Sequence, residues 1–187
     1  ELLDVQRRLG MTFIIVTHDQ EEAMTVADRI GVMDKGKLVQ VAPPRQLYEA
    51  PNSRWIAGFV GDINLIEGQV AARQAGHFTI ATQSAGTIVA SQVPQSDTSS
   101  VCAAIRPEKI RLSQAAPSDP KAVNTFSGEI ASAGFLGSAS VYSVKLDQGA
   151  SLRVAQANAT RVAADEFSVG QRVDVSFAPD DVVVLDR

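Results

Sequence analysis

Two stretches of this 187-residue sequence set polar side chains where chemistry could occur. The first is Thr17-His18-Asp19-Gln20-Glu21-Glu22, an imidazole followed closely by carboxylates. The run Thr12–Thr17 leading into it is β-branched and aromatic, so it reads as a buried strand. Thr17 with Gln20, and Asp19 with Glu22, fit the spacing at which a capping side chain and a side chain three residues on satisfy free helix-end amides. Carboxylates there also suit the positive end of a helix dipole. His18 is therefore expected at the carboxyl end of a strand, on the turn into a helix, where open α/β sheets hold their ligands. A solvated turn histidine is the plainer alternative. The second stretch is Arg106-Pro107-Glu108. Proline removes a ladder donor and fixes φ, which ends a strand at Arg106 and leaves a guanidinium and a carboxylate flanking a rigid turn. That arrangement suits an Arg106–Glu108 pair or a brace on a neighbouring loop; the other reading is an anion or carboxylate contact at a regulatory site or subunit interface. His77, between Gly76 and Phe78, reads as a solvated turn residue.

The elements that would position these residues change character along the chain. Leu2, Leu3, Val5 and Leu9 make a helical stripe stopped by Gly10, and with no capping residue ahead of Glu1 the segment is expected to be the remainder of a longer helix. Ala23, Met24, Ala27 and Ile30 recur at helical spacing and read as a core stripe. Arg29–Asp34 and Lys37–Ala42 are apolar-rich runs joined by Lys35-Gly36, a hairpin in which Gly36 can take positive φ. Pro44 suits a first helical turn, so Arg45–Glu49 should be a short helix, and Ser53 or Asn52 should cap a second over Arg54–Val60, stopped by Gly61. Trp55 and Phe59 lie four apart on one face of that helix and read as core packing.

From Asp62 onward, short β-rich runs separated by Gly, Ser, Asn or Asp take over. They are Leu65–Ala71, Phe78–Ala81, Thr87–Ala90, Val101–Arg106, Ile110–Leu112, Thr125–Ala133, Val141–Leu146, Leu152–Ala155, Arg172–Phe177 and Val182–Leu185. Their spacing suggests small barrels rather than a further α/β layer. Gln92–Ser100 and Gln114–Lys121 are the clearest loops, and the second is a candidate divide between two sub-barrels near 114–123.

Composition narrows the function classes. Hydrophobic residues make up 45% of the chain, enough for a real core. Seventeen basic against 21 acidic residues give a net charge of −4. The charge is shared evenly, with 7 basic and 9 acidic residues over 1–62 and 10 and 12 over 63–187, so neither part carries the basic excess of phosphate-backbone binders. A single cysteine, Cys102, cannot form an internal disulfide, and with two histidines a Cys/His metal site is not expected. The cysteine usage reads as a reducing compartment. No signal peptide is visible and no apolar run approaches the ~20 residues of a membrane-spanning helix, so a membrane link is expected through a partner.

The string Ile15-Val16-Thr17-His18-Asp19-Gln20-Glu21-Glu22-Ala23 is similar to the switch region of ATP-binding-cassette (ABC) ATPases, and the likeness continues through Ala27-Asp28-Arg29-Ile30-Gly31-Val32-Met33-Asp34-Lys35-Gly36-Lys37-Leu38-Val39-Gln40 in the same family's register. The segment from Val39 to Pro51, then Phe59-Val60-Gly61, resembles the end of the nucleotide-binding domain in importer ATPases of the maltose, spermidine and iron group. Ile105-Arg106-Pro107-Glu108, Gly128-Glu129-Ile130 with Phe135-Leu136-Gly137-Ser138 and Tyr142-Ser143-Val144, and Gly170–Phe177 resemble the TOBE regulatory domain that follows it, built from barrels of the oligonucleotide/oligosaccharide-binding (OB) type.

The resemblance implies an α/β tail of an ABC nucleotide-binding domain over residues 1–62, followed by an all-β, OB-like TOBE domain over 63–187. It implies that His18 contacts the γ-phosphate of ATP and helps organise attack by water, with ATP and Mg²⁺ as cofactors of the intact protein. It further implies a homodimer on transmembrane permease subunits, served indirectly by a substrate-binding protein, at the cytoplasmic side of the membrane. The run Phe59–Gly68 looks most like the polyamine branch (putrescine or spermidine), ahead of sugar or iron importers. No Gly-x4-Gly-Lys-Ser/Thr occurs, so the amide cradle for the phosphates is missing and the chain alone is expected to be inactive as an ATPase. Arg106 and Glu108 are the regulatory or interface candidates. Two rivals come from other classes, a stand-alone small-molecule sensor and an oligonucleotide-binding OB module; the second needs exposed aromatics in a positive groove, and Phe78, Phe126, Phe135, Tyr142, Phe167 and Phe177 are scattered without basic clusters.

Overall fold

A computed structural model describes residues 2–74, 76–91, 99–114, 123–159 and 167–186. Most of the first expected loop, residues 92–98, and residues 115–122 of the second lie outside the described residues. The backbone falls into two compact units, Glu1–Asn52 and Ser53–Arg187.

In the first unit, helix α1 (Leu2–Leu9) ends at Gly10, whose φ of 61° and bond to the Gln6 carbonyl (2.9 Å) make it the helix stop. Helix α2 (Gln20–Val26) leads to an antiparallel hairpin of β1 (Ile30–Asp34) and β2 (Lys37–Ala42). Lys35 and Gly36 both take positive φ, 47° and 76°, which is the type I′ turn that matches the twist of two paired strands. Helix α3 (Pro44–Glu49) starts on its proline, and the Asn52 side-chain Nδ2 closes the unit by donating to the Val39 carbonyl at 2.9 Å.

The expected strand over Phe13–Thr17 does not form. Residues 11–17 have no regular structure, and Ile14 and Val16 are each 91% exposed. The composition of this run fits a strand, yet a strand exists only through its ladder, and no neighbouring strand in the described residues offers one. An α/β layer is accordingly not what the first unit shows, and the chain is mostly β.

The second unit holds the ten β-runs read from Asp62 onward. One five-stranded sheet has the order β12-β6-β3-β4-β5, from β3 (Asn64–Gln74), β4 (His77–Thr82), β5 (Thr87–Ala90), β6 (Ser100–Ile105) and β12 (Val182–Asp186). The other has the order β10-β9-β8-β11-β7, from β7 (Arg111–Ser113), β8 (Asn124–Phe135), β9 (Ala139–Leu146), β10 (Ser151–Ala157) and β11 (Arg172–Phe177). All pairs are antiparallel. Both sheets curl until their outer strands approach, β12 toward β5 and β10 toward β7. Their inward residues, including Ile66, Ile80, Ile88, Phe126, Val144, Val154 and Phe177, make one continuous core. The chain crosses between sheets after β6, upstream of the expected divide near 114–123, and β12 returns to the first.

The two sheets repeat one another. Asn64-Leu65-Ile66-Glu67-Gly68-Gln69-Val70-Ala71 opens β3, and Asn124-Thr125-Phe126-Ser127-Gly128-Glu129-Ile130-Ala131 opens β8. In both, the asparagine starts the strand and the glycine lets the neighbouring strand approach. A Cβ on Gly68 would lie 2.8 Å from the Ala81 carbonyl oxygen, and one on Gly128 2.6 Å from that of Lys145. Both strands carry an irregularity just beyond, between Val70 and Ala72 and between Ile130 and Ser132. Each repeat then ends alike: β6, the 3-10 turn Pro107–Lys109 and β7; β11, the 3-10 turn Pro179–Asp181 and β12. The final strand of each is exchanged. β7 pairs with β11, and β12 pairs with β6, so each sheet is completed by a strand of the other repeat.

Helix α4 (Arg54–Phe59), capped by the Ser53 hydroxyl accepting from the Ile56 amide (3.3 Å), belongs to this second unit. Ala57 packs with Cys102, Ala104 and Leu185 on the outer face of β6 and β12. Val101, Ala103 and Ile105 face the shared core instead. Burial on both faces explains why Val101–Ile105 shows no polar alternation.

Candidate functional site

The His18 turn is built by three side chains. Asp19 is the N-cap of α2, its carboxylate accepting from the Glu22 amide at 3.0 Å. The Thr17 hydroxyl oxygen accepts from the Asp19 amide (3.0 Å), while its hydrogen is donated to the Glu22 carboxylate (2.7 Å). Of the two expected capping pairs, Asp19–Glu22 is therefore the one that caps, and Glu22 reaches back to Thr17. His18 sits between these anchored neighbours with an exposed side chain. The imidazole is therefore open to solvent between two hydrogen-bonded neighbours. It follows an unpaired segment here rather than a strand. The residues present supply this one imidazole and no amide cradle, so they do not by themselves fit ATP and Mg²⁺. Among the described residues, no three of His, Cys, Asp and Glu gather as a metal-binding group.

Arg106 lies in the second unit and is 3% exposed. Its guanidinium Nη1 donates to the carbonyls of Ala57 (2.9 Å), Gly61 (3.0 Å) and Asp62 (3.0 Å). The cation thus binds the carboxyl end of α4 and the turn after it, where helix carbonyls lack intrahelical partners and the dipole is negative. Of the sequence readings, the brace on a neighbouring segment is the geometry observed. Glu108 is exposed in the adjacent 3-10 turn. His77 is exposed at the start of β4.

Trp55 and Phe59 depart from the expected core packing. They are 45% and 42% exposed, with ring centroids 5.1 Å apart and planes at 15°. Ile56 and Ala57 point inward at this helix, which leaves the four-apart aromatic pair to stack on its outer side. Cys102 is buried, and burial pushes its thiol above the ordinary range, outweighing the nearby Arg54 charge. On the other sheet, Ser132, Gly134, Leu136, Val141, Ser143 and Arg153 line a shallow groove of about 430 Å³. Above it, Phe135 and Leu136 stand exposed on a hairpin tip that Asn158 holds by donating to the Gly137 carbonyl (2.8 Å).

Residues missed by local sequence reasoning are Asn64 and Asn124, 7% and 2% exposed. Their carboxamides bind strand backbone far away in sequence, and the signal that marks them is the repeated Asn-x-x-x-Gly-x-Val/Ile-Ala pattern.

The TOBE domain family matches residues 103–185. The chain is 40% identical over 161 residues, 84% of its length, to the spermidine/putrescine import ATP-binding protein PotA of Trichormus variabilis. It is 36% identical over 189 residues, 99% of its length, to the putrescine transport ATP-binding protein PotG of Escherichia coli. The chain spans about half the length of these relatives, 42% and 49%. In fold it resembles a crystal structure of the cytoplasmic molybdate-binding protein ModG with molybdate bound, at a TM-score of 0.57 and 15% identity, covering 65% of this chain and 94% of that one. Residues 103–185 are thus a TOBE domain, and the chain around them is related to the C-terminal part of spermidine/putrescine import ATP-binding proteins.

Proposed function

We propose that this chain is the C-terminal portion of the ATP-hydrolysing subunit of an importer for polyamines of the putrescine and spermidine class. The observation that carries the reading is the span of the similarity. A relative named for putrescine transport matches 99% of the chain, so the likeness takes in the His18 turn as well as the TOBE domain. In the intact subunit, residues 1–62 form the end of the nucleotide-binding domain, and Phe13–Thr17 pairs as a strand once its sheet is alongside. His18 would be the residue placed to donate a hydrogen bond to the γ-phosphate of ATP and to a water beside it, and the phosphate cradle and Mg²⁺ would be held by residues other than those of this chain. Residues 63–187 are the regulatory part, and their Arg106 fixes the end of α4 to the sheet, with Glu108 beside it on the surface. The subunit works as a homodimer at the cytoplasmic face of the membrane on permease partners, which receive substrate from a binding protein, and no nucleic acid is involved. Among the described residues no helix is long and apolar enough to cross a membrane.

The test is the full-length subunit reconstituted with its permeases. His18→Ala should lower ATP turnover by ~10²–10³ while nucleotide binding changes far less, the cost typical of removing a donor to developing charge. Turnover within about threefold of wild type overturns the role of His18. Residues 1–187 alone should release no phosphate above the His18→Ala control, because phosphoryl transfer needs positioning groups that this chain lacks. Deleting the gene should abolish uptake of labelled putrescine or spermidine; intact polyamine uptake with lost sugar or iron uptake overturns the substrate class.

A further inference from the structure

β5 lies at one edge of the first sheet of the second unit, and β10 at one edge of the other. Edge strands present unpaired amides and carbonyls, and both are met here by a side chain from the opposite sheet. Asn64, at the start of β3, accepts from the Arg153 amide (2.7 Å) and donates to the Arg153 carbonyl (2.8 Å) in β10. It also donates to the Ile105 carbonyl at 3.2 Å. Asn124, at the start of β8, accepts from the Val89 amide (2.7 Å) and donates to the Val89 carbonyl (2.9 Å) in β5. A carboxamide carries its acceptor and donor side by side, so it pairs with one extended residue much as a neighbouring strand would. Both asparagines are buried, which makes water a poor substitute for either bond.

We infer that Asn64 and Asn124 form a reciprocal latch that makes the two sheets one cooperative unit, so that loosening either edge strand is felt in the opposite sheet. The two contacts are equivalent and point in opposite directions: the first repeat holds the edge of the second sheet, and the second repeat holds the edge of the first. The exchange of β7 and β12 runs across the same boundary. A partner or ligand that displaces β5 pulls on Asn124, and thus on the first residue of β8, around which the other sheet is ordered. The latch gives the unit a route for passing a perturbation across, and it stands whether or not the importer reading holds.

Hydrogen exchange of the 187-residue chain at increasing denaturant tests this, comparing peptides over 77–90 with peptides over 139–157. In the wild type both should lose protection at one midpoint. Asn64→Ala or Asn124→Ala alone should move both midpoints down together, with exchange faster by roughly tenfold to thirtyfold, as expected for losing the two hydrogen bonds each makes to the opposite sheet. Removing both should split the transition, so that the two peptide sets open at different denaturant concentrations. A wild type with two midpoints, or a double alanine variant that keeps one shared midpoint, overturns the latch, the second result assigning the coupling to the common apolar core. Should the double alanine variant fail to fold, Asn64→Asp with Asn124→Asp keeps an oxygen facing each amide and loses each donor, and the same split or its absence decides.

Discussion

Replacing Arg106 by leucine should detach helix α4 from the sheet before the sheet itself unfolds. Nη1 carries two hydrogens, so three carbonyls at 2.9–3.0 Å share two charge-assisted bonds. Each such bond is worth about 1.5–3 kcal/mol, and the carbonyls of Ala57, Gly61 and Asp62 stay behind with their desolvation unrelieved. Losing the buried cation also removes its own desolvation cost, which offsets part of the loss. The net expectation is about 3–5 kcal/mol, in line with breaking a buried charged contact from one side. That loss falls on α4, because Ala57 belongs to a small outer cluster with Cys102, Ala104 and Leu185, whereas the sheets close on the separate shared core. Trp55, the only tryptophan, lies on α4 and reports it directly. Urea unfolding followed by Trp55 fluorescence should therefore shift to lower urea than the far-ultraviolet dichroism of the strands, while the two coincide in the wild type. Arg106→Lys should fall between, since an ammonium is a point charge without the planar fork. A leucine variant whose Trp55 transition stays within about 0.5 kcal/mol of wild type refutes the brace, because that is the range of an ordinary surface substitution.

Other expectations follow from single contacts. Gly128→Ala places a methyl 2.6 Å from the Lys145 carbonyl oxygen and should cost about 1–3 kcal/mol in a thermal melt, since backbone on a paired strand cannot step aside cheaply. Cys102 is fully buried and its thiol is raised by burial, so a thiol reagent should label the native chain only as fast as the region around β6 opens, and labelling at the rate of a free thiol contradicts the packing. Hydrogen bonds from Arg172, at 2.6 and 2.7 Å, hold the Asp147 carboxyl below the usual carboxylate range. A depressed acid stabilises the fold above its unfolded value of ~4 and loses that contribution as pH falls through the folded value, so Asp147→Asn should lower the urea midpoint slightly at pH 7 and leave it unchanged at strongly acid pH. The pair is exposed, and added salt should shrink the difference at pH 7.

The strands of the second unit were legible because their cause is local. Alternation in Asn124–Ile130 is inward Asn, Phe, Gly and Ile against outward Thr, Ser and Glu, and that period alone places one face on the core. The Lys35-Gly36 turn was legible for the same reason, since two paired runs of the right length need positive φ at the joint. Phe13–Thr17 shows the limit of this kind of reading. Its composition states a preference for a pleated, half-buried surface, but that preference is satisfied only by a neighbour, and composition does not supply one. Trp55 and Phe59 fail for a related reason. Spacing of four places two rings on one helical face, and only the position of the sheet decides whether that face is inward; here Ala57, a smaller residue, takes the inward place.

The candidate sites divide along the same line. His18 stands out through a string of neighbours in sequence, and the caps that hold its turn, Thr17, Asp19 and Glu22, lie within that string. Arg106 was marked by its proline, but the carbonyls it binds lie more than forty residues upstream, so the sequence could offer a brace and an anion contact without choosing. Asn64 and Asn124 were silent. A buried asparagine breaks the apolar alternation on which strand reading depends, and its partners are 89 and 35 residues away. What makes them legible is comparison of the chain with itself. When the same polar residue interrupts the same inward row in two copies, the interruption costs burial twice, and a cost repeated in one chain implies a compensating contact in each copy. Here the compensation is reciprocal: each asparagine binds both backbone groups of one edge-strand residue in the other repeat, Arg153 for Asn64 and Val89 for Asn124. The unit of function in residues 53–187 is for that reason the pair of sheets together, and a substitution in either should be judged by its effect on both.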